Sequence, residues 1–294
     1  MWILLACGSA LFAGLTSILA KLGVRTTDST LATALRTPVI LLGAWAMTLL
    51  SGSIRALPRV SATGLGWIVL SGLATGASWL CYFRALQLGG VSRVVPVDKL
   101  STVITVVLAA LLLGESVRAP GWIGLLLITL GTALMLDPAD LRALPTSIAT
   151  GLRPGGSWLP YACGSAFFAA LTAILGKLGV ADIPSDLATA IRTVVVLVMA
   201  WSMVGISTRG GARPPIVRSE LAWVLASGLA TCASWLCYFG ALAAGPASVV
   251  VPIDKLSVVV AVAFSVLVLR ERLGRRYLGG LLLLVVGTLV MTVA

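Results

Sequence analysis

The segment at 71–83, Ser-Gly-Leu-Ala-Thr-Gly-Ala-Ser-Trp-Leu-Cys-Tyr-Phe, returns at 227–239 with a single change, Cys232 in place of Gly76. The offset of 156 residues, from Ser71 to Ser227, holds along the chain. Lys21 matches Lys177, Leu-Ala-Thr-Ala-Leu-Arg-Thr at 31–37 matches Leu-Ala-Thr-Ala-Ile-Arg-Thr at 187–193, and Val-Pro-Val-Asp-Lys-Leu-Ser at 95–101 matches Val-Pro-Ile-Asp-Lys-Leu-Ser at 251–257. A period this long is a duplicated domain and not a solenoid. The chain therefore divides into a first repeat at 1–136, a linker at 137–157 rich in Pro, Gly and charge, and a second repeat at 158–294.

The solvent for these repeats is lipid. Apolar residues make up 59% of the chain and charged residues 11%, against about 25% charged in an ordinary soluble domain. Apolar stretches of the length that crosses a hydrocarbon core as a helix run at about 2–20, 30–50, 65–88, 91–113 and 120–136, and the offset supplies five more. Hydrocarbon offers no partner to an unpaired peptide group, so the spans are helices; the alternation of a membrane barrel is absent. The expected fold is an all-α integral membrane protein of ten transmembrane helices. Because five is odd, the second repeat enters from the opposite face, giving two inverted five-helix repeats, an arrangement characteristic of secondary transporters.

The net charge of +11 is spread over helix ends, with no soluble domain to carry a nucleic-acid patch. Topology accounts for it better. On the face opposite the termini lie Lys21, Arg25, Arg142, Arg153, Arg209, Arg213, Arg218, Arg270, Arg272, Arg275 and Arg276; on the face of the termini lie Arg55, Arg59, Arg118 and Lys177. That bias places both termini outside the cytoplasm. Residues 2–20 read as a retained helix and not a cleaved leader. The five cysteines fall within apolar spans, where buried packing is expected in preference to disulfide or metal chemistry.

Gly114-Glu115 closes the fourth span, Arg270-Glu271 stands at its counterpart, and the fifth and tenth spans end in Gly131-Thr132 and Gly287-Thr288. These features, with the repeated halves, resemble the EamA-like branch of the drug/metabolite transporter superfamily over essentially the full length. Each half is also similar to the short single-repeat members that carry the same Pro-x-Asp-Lys-Leu-Ser segment. The resemblance implies a multi-pass transporter of the bacterial inner membrane for a small solute. Two features depart from it: Arg270 stands where the family has Gly, and ten-helix relatives are usually drawn with cytoplasmic termini.

Charges within spans mark a pathway or a coupling site by default. Arg36, Asp98 and Lys99 gather toward one face, and inversion sends Arg192, Asp254 and Lys255 toward the other, so two polar clusters should flank a central cavity. Asp98 and Asp254 are the acids clearly inside spans, and the chain has no histidine, so a proton relay would use these carboxylates. Pro96, and Pro252 in the second repeat, should break the fourth helix of each copy, leaving 89–95 irregular and Asp98 in a first helical turn. Trp79 with Tyr82, and Trp235 with Tyr238, lie three residues apart on one helix face, which suits stacking on an organic solute; an interfacial aromatic belt is the structural alternative. Asp98 with Arg36, and Asp254 with Arg192, could equally form structural ion pairs while Lys99 and Lys255 snorkel. Cations outnumber acids in both clusters, which points to a carboxylate or phosphate on the solute unless the arginines are ion-paired. Gly124, Gly131, Gly280 and Gly287 mark close helix packing, Glu115 and Glu271 local ion pairs with Arg118 and Arg272, and Asp28 and Ser185 or Asp186 helix caps.

No Ser/His/Asp set, metal-spaced Cys/His group or phosphate-binding glycine loop is present, so neither enzyme chemistry nor a cofactor is expected. The sequence points to a secondary active transporter, an exporter of a small metabolite or drug-like solute working by alternating access, with protons as the coupling ion. Its partners are that solute and the bilayer, as a monomer or homodimer. A lipid or lipid-linked headgroup translocator and a non-transporting membrane scaffold are the alternatives.

Overall fold

The computed structural model describes residues 2–112, 118–136, 157–179, 183–207, 218–244, 250, 253–270 and 273–293. All regular structure among them is helical. The first repeat holds α1 (Trp2–Gly23), α2 (Ser29–Ser51), a 3₁₀ turn (Ser53–Arg59), α3 (Ala62–Leu88), α4 (Val91–Lys99), α5 (Ser101–Leu112) and α6 (Ala119–Met135). The second holds α7 (Trp158–Gly179), α8 (Ser185–Ser207), α9 (Arg218–Ala244), α10 (Ser257–Leu269) and α11 (Arg275–Val293). Seven of the described segments are long and apolar enough to cross a membrane, with α4 and α5 counted as one. Leu4, Leu42, Leu50 and Leu267 project outward, each more than 70% exposed, as side chains facing acyl chains would. Residues 137–156 of the linker, Glu115, Glu271, Arg272 and Pro252 lie outside the described residues.

Helix ends follow local chemistry. The Asp28 carboxylate accepts from the amides of Thr30 (2.9 Å) and Leu31 (3.1 Å), capping α2 as expected, and Gly52 takes a left-handed φ of 77° to end it. The fourth span does not break where proline predicts. Its backbone is already helical from Val91, Pro96 lies inside α4, and the interruption falls at Leu100, whose amide bonds to the Val97 carbonyl at 3.0 Å. Asp98 is therefore in the last turn of α4 and not in a first turn. The second repeat repeats this at Leu256, bonded to the Ile253 carbonyl at 3.0 Å. Pro96 supplies no donor to the Ser92 carbonyl four residues earlier, and the Tyr277 hydroxyl donates to that carbonyl at 2.8 Å. The tyrosine thus lets the helix continue through the proline. Tyr277→Phe should lower stability by about 1 kcal/mol, read as a drop in the thermal midpoint of the purified protein.

The repeats pack reciprocally. α1 lies along α9 and α3 along α7, while α2 packs on α8 and α6 on α11. The offset carries each of these pairings into itself or its mate, as in an isologous twofold interface. Along α1 and α9 the contacts run Gly8 to Cys237, Ser9 to Ser234, Thr16 to Thr231 and Gly23 to Val224, so the helices are antiparallel. Along α3 and α7 the matched contacts are Cys81 to Gly164, Ser78 to Ser165, Thr75 to Thr172 and Ile68 to Gly179. Small residues and bridging hydroxyls are what hold helices together where burial from water gives no force. The glycines of α6 and α11 meet as the sequence implies: Gly131 lies against the Gly280 carbonyl and Gly124 against the Gly287 carbonyl. All five cysteines are free thiols; Cys7 is exposed, contrary to the expected burial.

One end of this frame carries a tie that the repeat does not duplicate. Glu220 is 7% exposed and accepts from the amides of Thr26 (3.0 Å) and Thr27 (2.6 Å) and from the Thr26 hydroxyl (2.8 Å), fixing the α1–α2 loop to the start of α9. Its counterpart is Gly64, which sits near the Ile183 side chain. Glu220→Gln removes the charge from these bonds and should cost about 1–3 kcal/mol, detectable as faster proteolysis of the 24–28 loop.

Candidate functional site

A cavity of about 270 Å³ lies between the repeats. Its wall takes Thr16 and Ser17 from α1, Arg36 from α2, Trp79 and Tyr82 from α3, and Asp98 and Lys99 from the end of α4. The second repeat adds Ser165 from α7, Thr231 and Trp235 from α9, and Lys255 from the turn before α10. Seven of the ten pathway residues picked from the sequence therefore meet here. Arg192, Tyr238 and Asp254 do not line it: Arg192 is stacked over Trp235 at 5.2 Å, Tyr238 packs against the cluster of Ala6, Ala241 and Val250, and Asp254 accepts from the Ser9 hydroxyl at 2.6 Å. The chamber takes most of its charged wall from the first repeat, with Lys255 from the second, while Arg192, Tyr238 and Asp254 form the matching second group beside it.

Arg36 is 2% exposed, and its guanidinium donates to the Thr231 hydroxyl and, at 3.4 Å, to the Ser227 carbonyl. The same group stacks over Phe83 at 4.6 Å and Trp79 at 5.1 Å. Cation–π contact of this kind is worth about 2 kcal/mol when desolvated, and it fixes the plane of the fork toward the chamber. Its Nε is buried without a hydrogen-bond partner. Asp98 accepts from the Ser165 hydroxyl at 2.7 Å. Arg36 and Asp98 thus take these hydrogen bonds from the second repeat, and no ion pair joins them among the described residues, so the structural-pair alternative fails for the first copy. Lys99 donates to the Ser257 hydroxyl at 2.9 Å and is held at the chamber rather than snorkelling out of it.

The aromatic pairs separate. Trp79 and Trp235 face each other across the repeat interface with centroids 5.6 Å apart and planes tilted by 44°, within the range where aromatic rings attract. They line the cavity and do not form an interfacial belt. Tyr82 donates to Ser17 at 2.8 Å. The counterpart of Ser17 is Ala173, so this particular bond is not copied in the second repeat. Sequence reasoning passed over the hydroxyl ladder, Ser71, Thr75 and Ser78 with Ser227, Thr231 and Ser234. Their spacing of four and three residues on one helix face, repeated in both copies, was a legible signal.

An all-helical membrane protein with a polar chamber between two matched halves belongs, by its architecture, with the membrane transporters. The comparisons agree. The model of the EamA-like transporter family matches residues 1–137 and 156–293, and the chain belongs to that family. It is accordingly a membrane transporter and not an enzyme. A protein of Sinorhizobium sp, named as an uncharacterized transporter in the cobO 3' region, is 42% identical over 134 residues, covering 46% of this chain and 95% of that protein. That relative is thus about the size of one repeat. A solved crystal structure has the same fold at TM-score 0.65 and 21% identity, covering 98% of this chain and 96% of the other.

Proposed function

We propose that the protein carries a small organic solute across the bacterial inner membrane by alternating access, as an exporter driven by protons, and that its ten spans form two inverted five-helix halves. The observation that carries this reading is the chamber itself, to which matched residues of both copies contribute: Trp79 with Trp235, Lys99 with Lys255, and Ser78 with Ser234. The antiparallel runs of α1 on α9 and α3 on α7 support inversion, since first and third spans of one copy cross in the same sense. Asp98 and Asp254 are the proton carriers in this scheme. Each accepts from the matched serine of the other copy, Asp98 from Ser165 and Asp254 from Ser9, but Asp98 lines the chamber and Asp254 does not, an inequality suited to two sites that exchange roles during a cycle. Rocking one half against the other reverses that inequality.

The test is solute flux in proteoliposomes with an imposed pH gradient, read by mass spectrometry on a preloaded metabolite mixture. Wild type should deplete a subset of solutes only when the gradient is present. The Asp98→Asn, Asp254→Asn double variant should lose gradient-driven flux and keep solute-for-solute exchange. Full gradient-driven flux in that variant would remove the carboxylates from the coupling role.

A further inference from the structure

A second cavity, of about 220 Å³, lies beside the chamber between α2, α8 and α9. Ile40, Ala44, Met47, Cys232 and Leu236 give it an apolar wall, with Asp186 and Ser185 at its edge. Trp235 is common to both cavities. The indole thus borders both a polar chamber and an apolar recess. The polar chamber holds three cations, Arg36, Lys99 and Lys255, against one carboxylate, Asp98. Arg36 is not neutralised by that acid, since its bonds go to Thr231 and Ser227. The chamber therefore favours a compact anion, and the recess favours hydrocarbon.

We propose that the transported solute is an amphiphilic acid, its carboxylate or phosphate held by Arg36, Lys99 and Lys255 and its hydrocarbon part lying past Trp235 in the recess. This assignment deepens the reading of the chamber as the solute site and rests on it. The two spaces together amount to about 490 Å³ (270 and 220 Å³), a size typical of small-molecule sites, which combine a mostly apolar wall with a few placed polar groups. Neither space alone reaches that range. Trp235 is the partition between them, and Trp79 packs against it from the chamber side with centroids 5.6 Å apart. Arg192, stacked over the indole at 5.2 Å, holds the partition in place.

Cys232 in the recess reports occupancy. In a variant with Cys7, Cys81, Cys163 and Cys237 replaced by alanine, held in phosphatidylcholine nanodiscs, the rate of N-ethylmaleimide alkylation is measured by intact mass. Decanoate should slow alkylation several-fold, acetate should not, and excess acetate should reverse the protection by competing for the cations. Decanol and decylamine at equal membrane concentration should protect weakly. Lys255→Gln should erase the advantage of the acid over the alcohol, and Ala44→Phe, which fills the recess, should bring decanoate down to the level of acetate. Equal protection by decanol or decylamine would show a crevice for bilayer chains only and overturn the proposal. So would absence of protection by any acid in a protein whose gradient-driven flux is intact. Protection by decanoate in a protein without flux would sustain the acid site and overturn the transport reading instead.

Discussion

Gly131→Ala is expected to lower the thermal midpoint of the purified protein, and Gly66→Ala to raise it. Alanine is the better helix former by about 1 kcal/mol, so in open space the change stabilises. A Cβ at Gly66 meets nothing within 4 Å. At Gly131 it would stand 2.6 Å from the Gly280 carbonyl oxygen and 2.6 Å from the Leu284 amide nitrogen. Both are backbone atoms, which cannot turn aside as a flexible side chain can, so α6 and α11 must separate. Overpacking of this kind costs about 1–3 kcal/mol, enough to outweigh the propensity gain, and Gly131→Leu should exceed it. Because α6 belongs to the first repeat and α11 to the second, the lesion would loosen the bond between halves. Thermal melts read through the thiols of the native cysteines would give the sign directly. A midpoint for Gly131→Ala equal to or above wild type would contradict the close approach of these helices.

Arg36→Lys should reduce solute flux at least tenfold while leaving a folded protein. Lysine keeps the charge and loses the planar fork that reaches both Thr231 and the Ser227 carbonyl while stacked on Trp79 and Phe83. Losing a charge-assisted hydrogen bond and a desolvated ring contact costs about 2–4 kcal/mol, and each 1.4 kcal/mol is a factor of about ten in affinity. The effect should appear as a raised half-saturation concentration more than a lowered maximal rate, since in the proposed site the group holds the solute and does not move the halves. Size-exclusion and melting controls separate this from misfolding. Thr231→Val, which removes the hydroxyl partner and leaves the rings, should show a smaller loss in the same direction.

The duplication, the helical class and the glycine seam were legible because each depends on local composition or on the constant offset. The break in the fourth span was misplaced, since proline announces a missing donor but says nothing of a distant hydroxyl. Tyr277 lies 185 residues beyond Ser92 and supplies that hydroxyl. The true interruption falls at Leu100, a residue type that carries no breaking signal. The charged residues and a cavity between the copies were legible, but not which of those residues would line it, because that depends on which helix of one copy lies on which helix of the other. Composition leaves Arg36 either paired with Asp98 or free to face a cavity; the fold gives its guanidinium two oxygens 191 and 195 residues away.

Where a protein is assembled from two identical chains, each mutation is written twice and the assembly stays a palindrome. Fusion lifts that restriction, and this chain has used it: Ser17 faces Tyr82 while Ala173 stands at the mirror position, Cys232 replaces Gly76, and Glu220 ties one end where Gly64 leaves the other bare. Under the proposed alternating access, the inward and outward conformations of such a molecule would not have equal energy, and it would have a resting side. Exchanging the order of the two halves in the gene would move that resting side to the opposite surface of the membrane.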